Sequence, residues 1–156
     1  MQPIRIIEIP GCKMVSSGVG MFGQEKFDGF CRWFSSLPRS FYSKDFLFWD
    51  GGEYGVSGGF HWLYLYEGQA VPAEYDVIDF TGGLYAVATD IDGKTDIAAM
   101  AATVDEFLQA HGFDRDPGRR ELGNIITPPT ARETMGYDQM DYYTPIKRAV
   151  VTMRKK

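Results

Sequence analysis

Ile7-Glu8-Ile9-Pro10-Gly11 returns 71 residues later as Ile78-Asp79-Phe80-Thr81-Gly82. In both copies an acid stands between two apolar residues, and a glycine breaks the run two positions later. Such alternation is that of a half-buried strand closed by turn-forming residues. Around the first copy, Ile4 to Ile9 reads as a strand, broken at Pro10-Gly11 and continued from Cys12 to Val19. Phe27, Phe30, Cys31 and Phe34 then recur at helical spacing, with Trp33 beside them, until Leu37-Pro38 stops the run. Phe46 to Trp49 and His61 to Tyr66 are further strands, joined by a glycine-rich loop from Gly51 to Gly59.

The second copy opens the same series. Tyr75 to Phe80 and Leu84 to Thr89 are strands around Gly82-Gly83, and Asp92-Gly93 turns the chain into a helix. Ile97, Met100, Ala101, Val104, Phe107 and Leu108 mark its apolar face, and Gly112 is its C-cap. Glu121 to Thr127 and Met140 to Lys147 follow as strands, separated by a loop through Pro128-Pro129. The shared order is an internal duplication. It predicts one α+β domain over 1–156, with pseudo-repeats of about 1–70 and 71–150. Each would be a strand–helix–strand–strand unit. Together they would form an antiparallel sheet, two helices on one face, and a central ligand groove at the seam.

Composition narrows the function. Net charge is −5 and pI about 5.0, and the one basic cluster is terminal, Arg154-Lys155-Lys156. Direct nucleic-acid binding, which needs a concentrated cationic face, is not expected. Cys12 and Cys31 show neither disulfide nor zinc spacing and suit a reducing compartment. No signal peptide or spanning apolar run is present, so a soluble cytoplasmic protein away from the membrane is expected. No cofactor is expected. The aromatic share of 15% is high, and rings with polar tips suit a pocket for flat ligands as well as a core.

Alternation sorts the groove candidates. Trp62, Tyr64 and Tyr66 share one face of their strand, and His61, Leu63 and Leu65 the other. The aliphatic face is expected under the helices, leaving the Trp/Tyr face to the groove. Tyr142 and Thr144 share a face of the last strand, and Gly123 leaves room beside Glu121. Trp49, Tyr54 and Tyr85 are further candidates for the walls. A carboxylate among rings would suit a cationic, planar, lipophilic molecule. Nucleophilic chemistry finds little support: His61 and His111 are the only histidines, and no Gly-x-Ser-x-Gly, phosphate-cradling or metal-ligand pattern occurs. His111 reads as a helix cap. Were the chain an enzyme, Glu121 and Tyr142 would act as acid/base and donor.

Ile6-Ile7-Glu8-Ile9-Pro10, Phe80-Thr81-Gly82-Gly83-Leu84-Tyr85-Ala86-Val87 and Met140-Asp141-Tyr142-Tyr143-Thr144-Pro145-Ile146-Lys147 together resemble the GyrI-like small-molecule-binding domain, over nearly the whole chain. That domain also forms the effector-binding part of AraC- and MerR-type regulators. The resemblance implies the duplicated fold and a central aromatic pocket whose Glu, on the strand after the second helix, meets lipophilic cations. Glu121 holds the matching position, Trp62 and Tyr64 match the aromatic strand of the first repeat, and Tyr142 the last strand. Gly123 departs from the tyrosine common in the family, and the loop after Asn124 runs long. A small-molecule sensor, alone or fused to a DNA-binding domain, is the reading this implies. The resemblance also allows a hydrolase of cyclopropane-type electrophiles, or a module with a protein partner such as gyrase.

Overall fold

The two glycine breaks meet in space. β1 (Arg5–Ile9) does not pair with the strand that follows it, β2 (Cys12–Gly20), but with β6 (Gly83–Ile91) of the other half. Reciprocally, β5 (Asp76–Phe80) leaves β6 and pairs with β2. The connections Pro10-Gly11 and Thr81-Gly82 therefore pass one another, and they touch. Gly82 has φ +66°, and a Cβ there would lie 2.4 Å from the Ile9 carbonyl oxygen and 2.5 Å from the Gly11 nitrogen. Only a residue without a side chain fits.

The computed structural model describes residues 3–51 and 58–150. Between the exchanged strands lie α1 (Glu25–Ser35), β3 (Asp45–Asp50) and β4 (Gly59–Leu65) in the first half. The second half has α2 (Ile97–His111), β7 (Phe113–Arg115), β8 (Leu122–Ile125), α3 (Pro129–Met135) and β9 (Gln139–Arg148). Among the described residues one antiparallel sheet runs β1-β6-β9-β8-β3-β4-β2-β5, with β7 on β9. This order reads the same from either end once each strand is exchanged for its repeat equivalent. The pseudo-two-fold axis passes between β3 and β8, at the pair Leu47–Gly123. The chain is α+β and duplicated, as the sequence predicts. β7 and α3 are additions to the predicted elements; α3 starts where Pro128 and Pro129 supply the fixed φ of a first helical turn.

α1 and α2 lie on one face. Trp62 pairs with Leu47, Leu47 with Gly123, and Gly123 with Tyr142, so these four share that face. α1 packs Phe27 and Phe30 on Val15, Trp62 and Tyr64, while α2 packs Val104 and Leu108 on Ala86, Ala88 and Ile146. The expected assignment of faces is thereby corrected. The aliphatic side of β4 is not under a helix. Leu63 instead joins Met14, Phe46, Tyr85, Val87, Leu122 and Tyr143 in a core on the opposite face. Ile9 and Phe80 pack against this core beside the crossed connections, where the sheet folds towards itself. The Trp/Tyr side takes the helix.

Candidate functional site

On the helix-bearing face, the first half leaves a groove of about 460 Å³ at its border with the second. Its floor is Trp62 and Tyr64; Phe34, Leu37 and the segment up to Ser43 form one wall, and Ile125 to Pro129 the other. The volume lies within the usual range of small-molecule sites, about 300–1,000 Å³. The rings are held by each other. Phe34 stacks on Tyr64 at 5.3 Å and meets Trp62 edge-on at 5.4 Å, and Trp33 closes on Tyr64 at 5.8 Å. The indole Nε1–H of Trp62 is buried with no acceptor among the described residues. Phe41 and Tyr42 stand exposed on the rim.

A carboxylate, Asp45, lines this groove. It opens β3 opposite Tyr64, hence on the same face as Leu47. Asp45 is partly buried and forms no ion pair among the described residues. The cations of that rim are Lys44, which is bridged to Glu67, and Arg39. Cys31 of α1 also faces the groove, its thiol pushed up first by burial and further by Asp45. Desolvation pushes the Asp45 carboxyl up to about 6, from an ordinary 3.8.

That shift has a stability consequence. A folded-state pKa above the unfolded value gives a contribution complete below pH 4 and lost as pH rises through about 6. Two pKa units correspond to about 3 kcal/mol, which partial exposure reduces to about 1–2 kcal/mol. Asp45→Asn is therefore expected to raise Tm at pH 7.5 by about 2–8 °C and to leave it unchanged near pH 4. Thermal melts at the two pH values check this.

The residues singled out in the sequence are dispersed. Trp62 and Tyr64 are in the groove. Tyr142 is on the same face but under the second half, its hydroxyl 3.0 Å from Thr95 Oγ1. Tyr85 is 1% exposed on the opposite face, with the Arg119 guanidinium 4.7 Å above its ring. Trp49 shares the helix-bearing face but is 53% exposed, edge-on to Phe60. Tyr54 and the terminal basic cluster lie outside the described residues. Glu121 precedes β8 with its side chain 71% exposed, accepting from Arg115 at 3.2 Å. Arg115 is also held by Asp105 at 2.6 Å. The room expected at Gly123 is taken: a Cβ there would lie 2.3 Å from Met140 Cε.

Glu121 and Asp45 are nonetheless related. They are 76 residues apart, the separation of Leu47 and Gly123 at the axis. Each lies two residues before its member of that pair. One equivalent acid is solvated and ion-paired, and the other faces aromatic rings with no ion-pair partner among the described residues. A larger depression of about 740 Å³ lies over Gly29, Trp33, Pro72 and Tyr75. It is away from the axis, and its acid Glu25 is already bridged to Arg32.

No family model and no curated protein matches the sequence. Solved structures do. The chain superposes on EcmrR in an EcmrR–DNA complex with a TM-score of 0.61 at 9% identity, covering 95% of this chain and 58% of that one. It thus spans little more than half of EcmrR. Against the isolated EcmrR C-terminal domain the TM-score is 0.59 at 9% identity, covering 94% and 98%. SAV2435 bound to tetraphenylphosphonium gives 0.53 at 13% identity, covering 94% of each. A hydrolase from Listeria innocua gives 0.59 at 10% identity, covering 92% and 91%. At these identities the likeness is one of fold.

Proposed function

We propose that this chain, which has the GyrI-like effector-binding fold of EcmrR and SAV2435, binds a small lipophilic cation in the groove between α1 and the β8–α3 connection. The observation that carries this is the Asp45 carboxylate, without an ion pair among the described residues, in a groove floored by Trp62 and Tyr64. Rings attract a cation through their quadrupoles, and a partly desolvated carboxylate gains from its charge what it lost from water. Two comparisons support the reading: SAV2435 holds such a cation on this fold, and EcmrR carries the fold as a C-terminal domain in a DNA-bound protein. A sensor domain of a regulator is the setting we attach to it.

Tryptophan-fluorescence titration with tetraphenylphosphonium is the test, since Trp62 lines the groove. Saturable quenching is expected, with an uncharged tetraphenyl analogue binding at least tenfold more weakly. Equal affinity for both probes would remove the role of Asp45, and no saturation by either would remove the groove as a site.

Affinity should also follow pH. With a carboxyl near 6, about one-tenth of Asp45 is ionised at pH 5, so cation affinity is expected to fall roughly tenfold between pH 7.5 and pH 5. Tyr64, Cys31, Tyr42, Lys44 and Arg39 face the same space. Burial holds the Tyr64 and Cys31 groups up, away from this range. A pH-independent affinity would contradict the assignment.

A further inference from the structure

β2 interrupts its ladder with β4 between Ser16 and Val19, where Gly18 takes φ +72°. Bulges re-aim side chains and backbone groups. This one places the Gly18 N–H on Ser16 Oγ at 3.1 Å. On another side of that oxygen is His61 Nε2, in direct hydrogen-bond contact. Gly18 uses one acceptor position of Oγ, so the hydroxyl proton is free to point to Nε2. The ring nitrogen that accepts it must be unprotonated. In the tautomer that accepts it, the ring proton is on Nδ1, which is buried and finds no partner among the described residues.

The surroundings keep His61 neutral. Burial holds its pKa below the ordinary histidine range; Asp50 opposes the shift and Arg120 adds to it. The ring is fixed by stacking on Phe48, its register partner, at 4.7 Å. Asp50 is two residues further along β3 on the same face, 3.6 Å from Arg120. The fold does not require this arrangement. In the second repeat the register equivalents of Ser16 and His61 are Val87 and Asp141.

We propose that Ser16 is a nucleophile, with His61 Nε2 as general base, that takes the acyl group of a small activated ester. Oγ forms a bond to the carbonyl carbon while its proton passes to Nε2. The carbon–oxygen bond to the leaving group then breaks, and Nε2 returns the proton to the departing oxygen. Water, deprotonated in turn by Nε2, releases the acid and restores Ser16. Ser16 is only 6% exposed, which restricts the acyl group to a small one. The pair is on the face opposite the groove, so this activity stands or falls apart from cation binding.

The test uses p-nitrophenyl acetate with the full chain, reading p-nitrophenolate release and mapping acetyl groups by peptide mass spectrometry. A burst of about one equivalent is expected, with acetyl on the peptide bearing Ser16. Ser16→Ala should abolish it. His61→Ala should slow it about 100-fold or more, with partial rescue by added imidazole. A native protein acetylated only on lysines or the N-terminus would overturn the proposal, as would an unchanged burst in Ser16→Ala. Mapping the native protein needs no variant, so a misfolded mutant leaves the test decisive.

Discussion

Asp45→Asn is expected to weaken tetraphenylphosphonium binding at pH 7.5 by ten- to a hundredfold. A unit charge about 6 Å from a carboxylate, at an effective dielectric of about 20, is worth roughly 3 kcal/mol, and solvent at the groove mouth lowers that. Each 1.4 kcal/mol is about a factor of ten. The same substitution is expected to stabilise the protein, because it removes a charge from a poorly solvated place. Weaker binding by a more stable variant cannot be a folding defect. Glu121→Gln is the companion: its side chain is solvated and bridged to Arg115, so affinity should change less than about twofold. Calorimetric titration of both variants checks the pair. A large loss in Glu121→Gln with none in Asp45→Asn would move the cation to the other end of the axis.

Gly82→Ala is expected to be the most damaging small substitution in the chain. The added methyl would meet Ile9 O, Gly11 N and Pro10 C at 2.4–2.6 Å, all of them backbone, at a φ that side chains disfavour. A left-handed conformation alone costs about 1–3 kcal/mol, and here the neighbouring connection must also move. A loss of about 3 kcal/mol or more is expected, a fall in Tm of about 6–12 °C. Gly11→Ala, across the same crossing, has its nearest contact at 3.4 Å and should cost less than about 1 kcal/mol. Urea denaturation of the two variants makes the comparison. Equal stability would mean that the exchanged strands do not depend on close passage of the connections.

The repeat was legible because its first two strands keep one spacing. β1 and β2 map onto β5 and β6 residue for residue at 71. Beyond the helices the spacing widens, to 76 at the axis pair and to 80 between β4 and β9. The four extra residues of α2, 15 against 11 in α1, account for most of the first step, and the α3-bearing connection between β8 and β9 accounts for the second. A fixed spacing therefore could not pair Asp45 with Glu121, although both begin short apolar runs, Asp45-Phe46-Leu47 and Glu121-Leu122-Gly123. Alternation separated Trp62 and Tyr64 from Leu63 and Leu65 but carried no information on which set meets a helix. The sheet's fold towards itself decided that. Ser16 and His61 are not legible as a pair, because they are 45 residues apart and meet only through strand register.

The measurement that bears most directly on the cation site is a crystal structure of the complex with tetraphenylphosphonium. The cation is expected between α1 and the β8–α3 connection, with a phenyl ring over Trp62 or Tyr64 and the phosphorus within about 6 Å of the Asp45 carboxylate. Density beside Glu121, or in the depression over Gly29 and Tyr75 with the Asp45 groove empty, would contradict it.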